Sequence, residues 1–304
     1  MITPQEAIEV IRARFGYHPG YRALHAKGVF CAGTFTATPA AAKLTRAPHM
    51  QGDPVPAIVR FSNGGGDPNV PDYAPDVRGM AVSFELPDGS RTDIVAQTAP
   101  HFPFRTPDEF IEFVRVSKPS LGSALRLPLF LARHPHVART LRANLAALAP
   151  PASFAARPYY AIHAYKWIAA DGSERWVRYT WRPYEPQPEL SRAEAKQRGS
   201  SYLFDELAVR LRRRAVRLLL EAQLATGSDD PHDPSTSWPV VRERVVVGTL
   251  TIESIAEQFD GAVFDPVRVC DGIETSRDPI LHFRPHVYAI SHADRAATSS
   301  GRGN

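Results

Sequence analysis

Proline recurs along the whole chain, at 28 of 304 positions, which is nearly twice the usual share of ~5%. A proline inside a helix costs about 3 kcal/mol, because it lacks an amide donor and its ring clashes with the preceding turn. Long uninterrupted helices therefore cannot dominate, and strands, turns and short capped helices must carry the fold. Proline and glycine together stay below the ~25–30% of low-complexity chains. With 43% of residues apolar, a chain of this length can bury a large core. Length alone allows either two domains of ~150 residues or one larger one.

The pattern between the prolines predicts mixed elements. Thr3-Pro4-Gln5-Glu6 ahead of Ala7, Ile8, Val10 and Ile11 predicts a helix with a capping box, ending before Gly16. Val29 to Thr38, Ala57 to Ser62, Met80 to Leu86 and Arg91 to Gln97 are β-branched and aromatic runs between turn residues, and read as strands. The last two flank Pro87-Asp88-Gly89 as a hairpin. Pro107 to Val116 reads as a helix capped by Thr106, followed by a basic helical region from Ala124 to Leu148 broken by Pro128 and Pro135. Strands are predicted at Ala161 to Ala169, Glu174 to Trp181 and Val245 to Ile252. Leu203 to Ala225 reads as one amphipathic helix, with Arg210, Arg213, Arg214 and Arg217 on its solvated side. Asp229, Asp230, Asp233 and His232 lie in a Pro/Asp/Ser loop without metal-ligand spacing and read as turn-capping groups. Asp278-Pro279 opens a final helix. Six to eight strands in hairpin order, with no strand–helix–strand alternation, predict an α+β fold around a closed or nearly closed antiparallel barrel.

Of 36 basic residues, 31 are arginine. Guanidinium groups grip carboxylates bidentately, so this bias suits sites for acidic groups and does not single out nucleic acid. Cys31 and Cys270 have no metal-ligand spacing and are expected as buried, reduced thiols, in keeping with a reducing compartment. No signal peptide is evident at the N-terminus, and apolar runs such as Leu127 to Ala132 are far short of the ~18 residues of a membrane span. A cytoplasmic location without membrane attachment is expected.

Two places carry possible chemistry. His25 lies in an apolar setting that suits a packed core residue as readily as a catalyst. Arg284 and Tyr288 are one helical turn apart, so the guanidinium can reach the phenol oxygen. A cation beside a phenol favours phenolate, a hard anionic ligand for ferric iron.

Arg22-Ala23-Leu24-His25-Ala26-Lys27-Gly28, then Val59-Arg60-Phe61-Ser62, then Asp76-Val77-Arg78-Gly79-Met80-Ala81, then Phe283-Arg284 with Tyr288 occur in this order. The series resembles the haem catalases from about residue 10 to 296. The chain length, Ser237-Trp238-Pro239 and the stretch from Gly272 to Pro279 are similar to their short members, the catalase-related peroxidases. The resemblance implies one catalase-like domain over 1–304, an eight-stranded barrel wrapped by helices, and a C-terminal helix supplying the ligand to haem b. It implies that His25 moves a proton between the two peroxide oxygens and that Ser62 orients the imidazole. Tyr288 would be the iron ligand, Arg284 its phenolate partner, Arg22, Arg60 and Arg295 the propionate contacts, and Phe110 the ring stacked over the distal haem face.

The chain departs from the catalase pattern in three places. Gln97 falls where catalases place an asparagine that helps hold peroxide; its extra methylene shifts the amide by more than ~1 Å. Pro103 replaces a channel-narrowing phenylalanine, and Pro285 lies inside the Tyr288 helix, where it can introduce a kink. The expected activity is therefore a peroxidase that reduces hydrogen peroxide or organic hydroperoxides with a small organic reductant, with weak catalase activity, as a monomer or homodimer. The alternatives are a haem carrier or sensor on the same barrel and rearrangement of fatty-acid hydroperoxides.

Overall fold

A computed structural model describes residues 1–119, 123–256 and 262–300. The strands are β1 (Gly28–Ala37), β2 (Val55–Asn63), β3 (Arg78–Glu85), β4 (Arg91–Gln97), β5 (Tyr159–Tyr160), β6 (Tyr165–Ile168), β7 (Glu174–Pro183), β8 (Val216–Leu224), β9 (Arg244–Ile255) and β10 (Ile273–Thr275). All pairings are antiparallel. The order β7-β5-β4-β3-β2-β1-β9-β8 closes through a β7–β8 pairing, giving an eight-stranded barrel; β10 and β6 extend from β7. Closure removes the exposed edges that an open sheet would leave.

Alternation along each strand decides what fills the barrel. Cys31 and Phe35 of β1, Val59 and Phe61 of β2, and Val82 and Phe84 of β3 point inward and are fully buried, meeting Trp181 and Leu220. Phe35, Phe84 and Trp181 pack ring against ring. The opposite face of the same strands carries Phe30, Arg60, Ser62, Ala81 and Val95, and this is the face on which the candidate site is built.

The helices are α1 (Pro4–Phe15), α2 (Pro39–Ala42), α3 (Pro107–Val116), α4 (Ser123–Arg133), α5 (Pro135–Ala143), α6 (Arg192–Gln197), α7 (Tyr202–Arg213) and α8 (Pro279–Ser300). The expected capping box opens α1: Thr3 Oγ1 accepts from Glu6 N, and Glu6 Oε2 accepts from Thr3 N at 2.8 Å. Ala7 and Ile11 of α1, Ile111 and Val114 of α3, and Phe283 and Val287 of α8 form one apolar cluster. The cluster joins the first and last helices, and an Arg12–Asp294 ion pair reinforces the junction. None of the described helices is long and apolar enough to cross a membrane.

The single helix expected over Leu203 to Ala225 is wrong beyond Arg213, where the chain turns at Arg214 and continues as β8. Leu203, Leu207 and Leu211 do bury a helical stripe. Past Arg214, however, Val216, Leu218, Leu220 and Ala222 are buried at a spacing of two. A short apolar run fits both periods; here the backbone bonds to β7 on one edge and β9 on the other, which close the barrel, select strand. The strand expected over Ala161 to Ala169 is displaced and split, forming β5 and β6 around residues 161–164. The acidic loop behaves as expected: Asp229 pairs with Arg242, and Asp233 accepts from the Ser235 amide two residues on. Cys31 is buried and Cys270 only partly so; neither is in a disulfide.

Candidate active site

His25 sits between α1 and β1 with φ of 54°, the one non-glycine residue of positive φ among those described. Such a conformation persists only where the surroundings impose it. The His25 amide donates to Gly64 O at 3.0 Å, and its carbonyl accepts from Arg60 Nη2 at 2.8 Å. Asp76 holds the Gly64 loop in turn by accepting from the amides of Gly64 and Gly65. The Asp76-Val77-Arg78 motif is thus a brace for the His25 backbone.

The imidazole faces a row of sheet partners: Gly28, Ser62, Gly79 and Gln97 are successive neighbours across β1, β2, β3 and β4. Ser62 Oγ lies 3.0 Å from His25 Nδ1. With Nδ1 donating, Nε2 is left as the proton acceptor. A Cβ on Gly79 would stand 2.6 Å from His25 Nδ1 and 2.7 Å from Ser62 Oγ, so the ring can lie against the sheet only because residue 79 has no side chain. Burial, then the charges of Arg60, Arg284 and Arg22, push the His25 pKa down to about 3, so the imidazole is neutral across the physiological range.

On α8, Arg284 Nε donates to the Tyr288 oxygen at 2.8 Å, as the spacing predicts. The helix runs through Pro285 without ending, so the proline does not break this contact. Arg284 Nη1 donates to His163 Nε2 at 2.8 Å, and His163 Nδ1 reaches Asp278 Oδ2 at 2.5 Å. Because arginine can only donate, His163 Nε2 must accept, which fixes the proton on Nδ1 and the ring as neutral. Burial lowers the His163 pKa despite the pull of Asp278. Burial by itself would raise the Asp278 carboxyl; the His163 hydrogen bond, with the Leu281 and Ile280 amides, holds it below its ordinary value. Asp278 thus caps α8 through Oδ1 and anchors a chain of contacts to the tyrosine through Oδ2.

Sequence reasoning missed His163 and the second role of Asp278. His163 lies in the gap between β5 and β6, 115 residues from Asp278. Its one local signal was a polar residue inside an apolar run.

Arg22 and Arg60 both lie near the Phe30 ring, at 5.7 and 5.6 Å, and Arg22 Nη2 donates to Ala262 O. Arg295 bonds back to Ser291 O and Oγ, while Ser291 Oγ accepts from Ala23 N, beside Arg22. The structure therefore gathers the N-terminal segment, β1, β2 and α8 around one region. Phe110 packs between Phe104 and Phe102, in clusters that include Leu24, Phe283 and Val287, next to His25 and Arg284. Gln97 is on the His25 face of the sheet, but its amide turns toward Ala99 O at 3.5 Å.

This donor set fits haem. A phenol oxygen backed by a guanidinium is a hard anionic ligand, arginines suit acidic edges, and Phe30, Ala81 and Val95 offer a partly buried apolar wall. The structure thus combines a closed antiparallel barrel, a neutral histidine over its sheet face and an arginine-backed tyrosine on a C-terminal helix.

The chain belongs to the catalase family, whose sequence pattern, described as Catalase, matches residues 19–301. Among its relatives, a catalase-related peroxidase of Mycolicibacterium paratuberculosis is 46% identical over 99% of this chain and 97% of that protein. One of Synechococcus elongatus is 31% identical over 97% and 89%. The catalase of Pseudomonas aeruginosa is 28% identical over 91% of this chain but 58% of its own length. The barrel is similar to that of a fungal catalase, with a TM-score of 0.81 at 23% identity over 90% of this chain and 59% of that one. Family membership implies haem iron as the cofactor.

Proposed function

We propose that the chain is a haem-b peroxidase that reduces hydrogen peroxide or organic hydroperoxides with a small organic donor, and that its catalase activity is weak. The observation that carries this reading is the Asp278–His163–Arg284–Tyr288 chain of contacts together with His25, held neutral and oriented by Ser62. When bound, haem iron supplies the electrons that cleave the peroxide bond and recovers them from the donor.

The chain's own residues do the rest. Tyr288 would ligate the iron, and Arg284, donating from Nε, stabilises its oxygen as the anion. His163 and Asp278 keep Arg284 turned toward the phenol. His25 Nε2 takes the proton from one peroxide oxygen and returns it to the other, which requires a neutral ring. Ser62 is a positioning residue that keeps this nitrogen outward. Arg22, Arg60 and Arg295 would hold the acidic edge of the haem, and Phe110 would pack against the ring. Type b is supported by the cysteines, since Cys31 and Cys270 lack the spacing of covalent haem attachment. Gln97, with its amide turned toward Ala99 O, supports weak dismutation, because a peroxide would have to draw that amide away.

A carrier or sensor has no use for an oriented acid–base histidine, and the catalase-related peroxidases among the relatives favour peroxide reduction over hydroperoxide rearrangement. We further read residues 1–304 as one domain, because the segment of Arg22 and His25 near one end of the chain and α8 near the other build the same site, and the protein as a cytoplasmic monomer or homodimer with two free thiols. The test is donor oxidation by haem-loaded protein with and without His25→Ala. Loss of about 100-fold or more in the peroxide step with haem retained is expected. Equal rates would overturn the assignment.

A further inference from the structure

Away from the tyrosine and His25, the side chains of Glu109, His134 and His136 bring three ligand-type atoms within 4.8 Å of one another. Glu109 lies in the first turn of α3, His134 at the junction of α4 and α5, and His136 at the start of α5. These side chains are 17%, 22% and 21% exposed, so the cluster is partly enclosed yet open to solvent. His134 Nδ1 stands 3.4 Å from Glu109 Oε1, and His136 Nε2 stands 3.5 Å from Oε2.

These are ion-pair separations, longer than the ~2.8 Å of a close charge-assisted hydrogen bond. His136 Nε2 is buried and makes no hydrogen bond, a costly arrangement for a polar atom. Each imidazole nitrogen faces one oxygen of the same carboxylate, and one atom from each residue lies within 4.8 Å of the other two, close enough for bonds of about 2.0–2.2 Å to a shared ion after small side-chain rotations. Two ligands are already oriented: His134 stacks on Phe130 at 4.4 Å, and Glu109 Oε2 accepts from the Arg105 amide at 2.8 Å.

We propose that Glu109, His134 and His136 form a site for a divalent transition metal of the zinc class, with water completing its coordination. Two imidazoles favour such an ion over magnesium or calcium, which take oxygen ligands. Bound there, the ion clips α3 to the α4–α5 junction. It thereby steadies the Phe104, Phe110, Phe113 and Phe130 cluster beside the candidate active site.

Isothermal titration of the haem-loaded full chain with Zn²⁺ tests the site, alongside Glu109→Gln and His136→Ala. His136→Ala breaks no hydrogen bond at Nε2, and its metal-free melting curve, taken beside the wild type, establishes that it folds; Glu109→Gln retains an acceptor for the Arg105 amide. The wild type should bind one Zn²⁺ per chain and melt at a higher temperature with it. Each variant should weaken binding about 100-fold and lose the thermal shift. Either folded variant decides the point. Absence of saturable Zn²⁺ binding in the wild type, or affinity within a few-fold of wild type in any folded variant, would overturn the proposal.

Discussion

Gly79→Ala probes the packing on which proton transfer depends. The new Cβ would lie 2.6 Å from His25 Nδ1, 2.7 Å from His25 Cε1 and 2.7 Å from Ser62 Oγ. Ordinary carbon contacts are about 3.5–4.0 Å, so about 1 Å must be found. It cannot come from β3, which is bonded to β2 and β4 on its two edges. Nor can the His25 backbone yield easily, since its amide and carbonyl are both engaged. The imidazole must therefore swing away from Ser62. A misplacement of this size costs on the order of 100-fold in rate, or about 2.7 kcal/mol of transition-state stabilisation. Overpacking should also cost about 1–3 kcal/mol of stability. The three atoms nearest the new methyl belong to His25 and Ser62 and none to Tyr288, Arg284 or His163, so haem ligation should survive. The assay is kcat/KM for peroxide with a guaiacol-type donor, read beside the Soret band of the same sample. A fall of about 100-fold with an unchanged Soret band is expected. Wild-type kinetics, or loss of haem with no separate kinetic effect, would refute the packing argument.

Two predictions concern pH. Because His25 is pushed down to about 3, the rate of the peroxide step should show no limb near pH 6.5; a decline of kcat/KM centred there, removed by His25→Gln, would contradict the neutral-imidazole account. His49, buried between Phe35 and Phe84, is also pushed down to about 3 by burial. Its unfolded form titrates near 6.5, so below that pH the unfolded state binds more protons and the folded state loses stability down to about pH 3, by about 2 kcal/mol from His49 between pH 7 and 5. Asp93, raised to about 6 chiefly by burial, acts in the opposite sense between about pH 4 and 6. Urea unfolding at pH 7 and 5 should therefore show His49→Phe losing about 2 kcal/mol less than wild type; an equal loss would refute the assignment.

Much of the barrel was legible because its strands alternate and are punctuated by glycine and proline. Arg91 to Gln97 and Pro107 to Val116 have the expected boundaries, the latter fixed by Thr106 accepting from Glu109 N. Reading by periodicity fails where one apolar run fits two periods: nothing local in Val216 to Leu224 states that β7 and β9 wait on either side. The site divides in the same way. His25, Ser62, Arg284 and Tyr288 were legible as ordered motifs, and Arg284 with Tyr288 also from helical spacing. His163 was not, since its meaning comes from a gap between two short strands and a carboxylate 115 residues away. Glu109, His134 and His136 likewise converge only once α3 packs beside the α4–α5 junction.

The central claim is that Tyr288, supported by Arg284, is the ligand through which this chain holds haem iron. The electronic absorption spectrum of haem-loaded wild type beside Tyr288→Phe tests it most directly. Loss of the tyrosinate-ligated spectrum in the variant, at preserved secondary structure, is the expected result. An identical spectrum and haem affinity in Tyr288→Phe would contradict it.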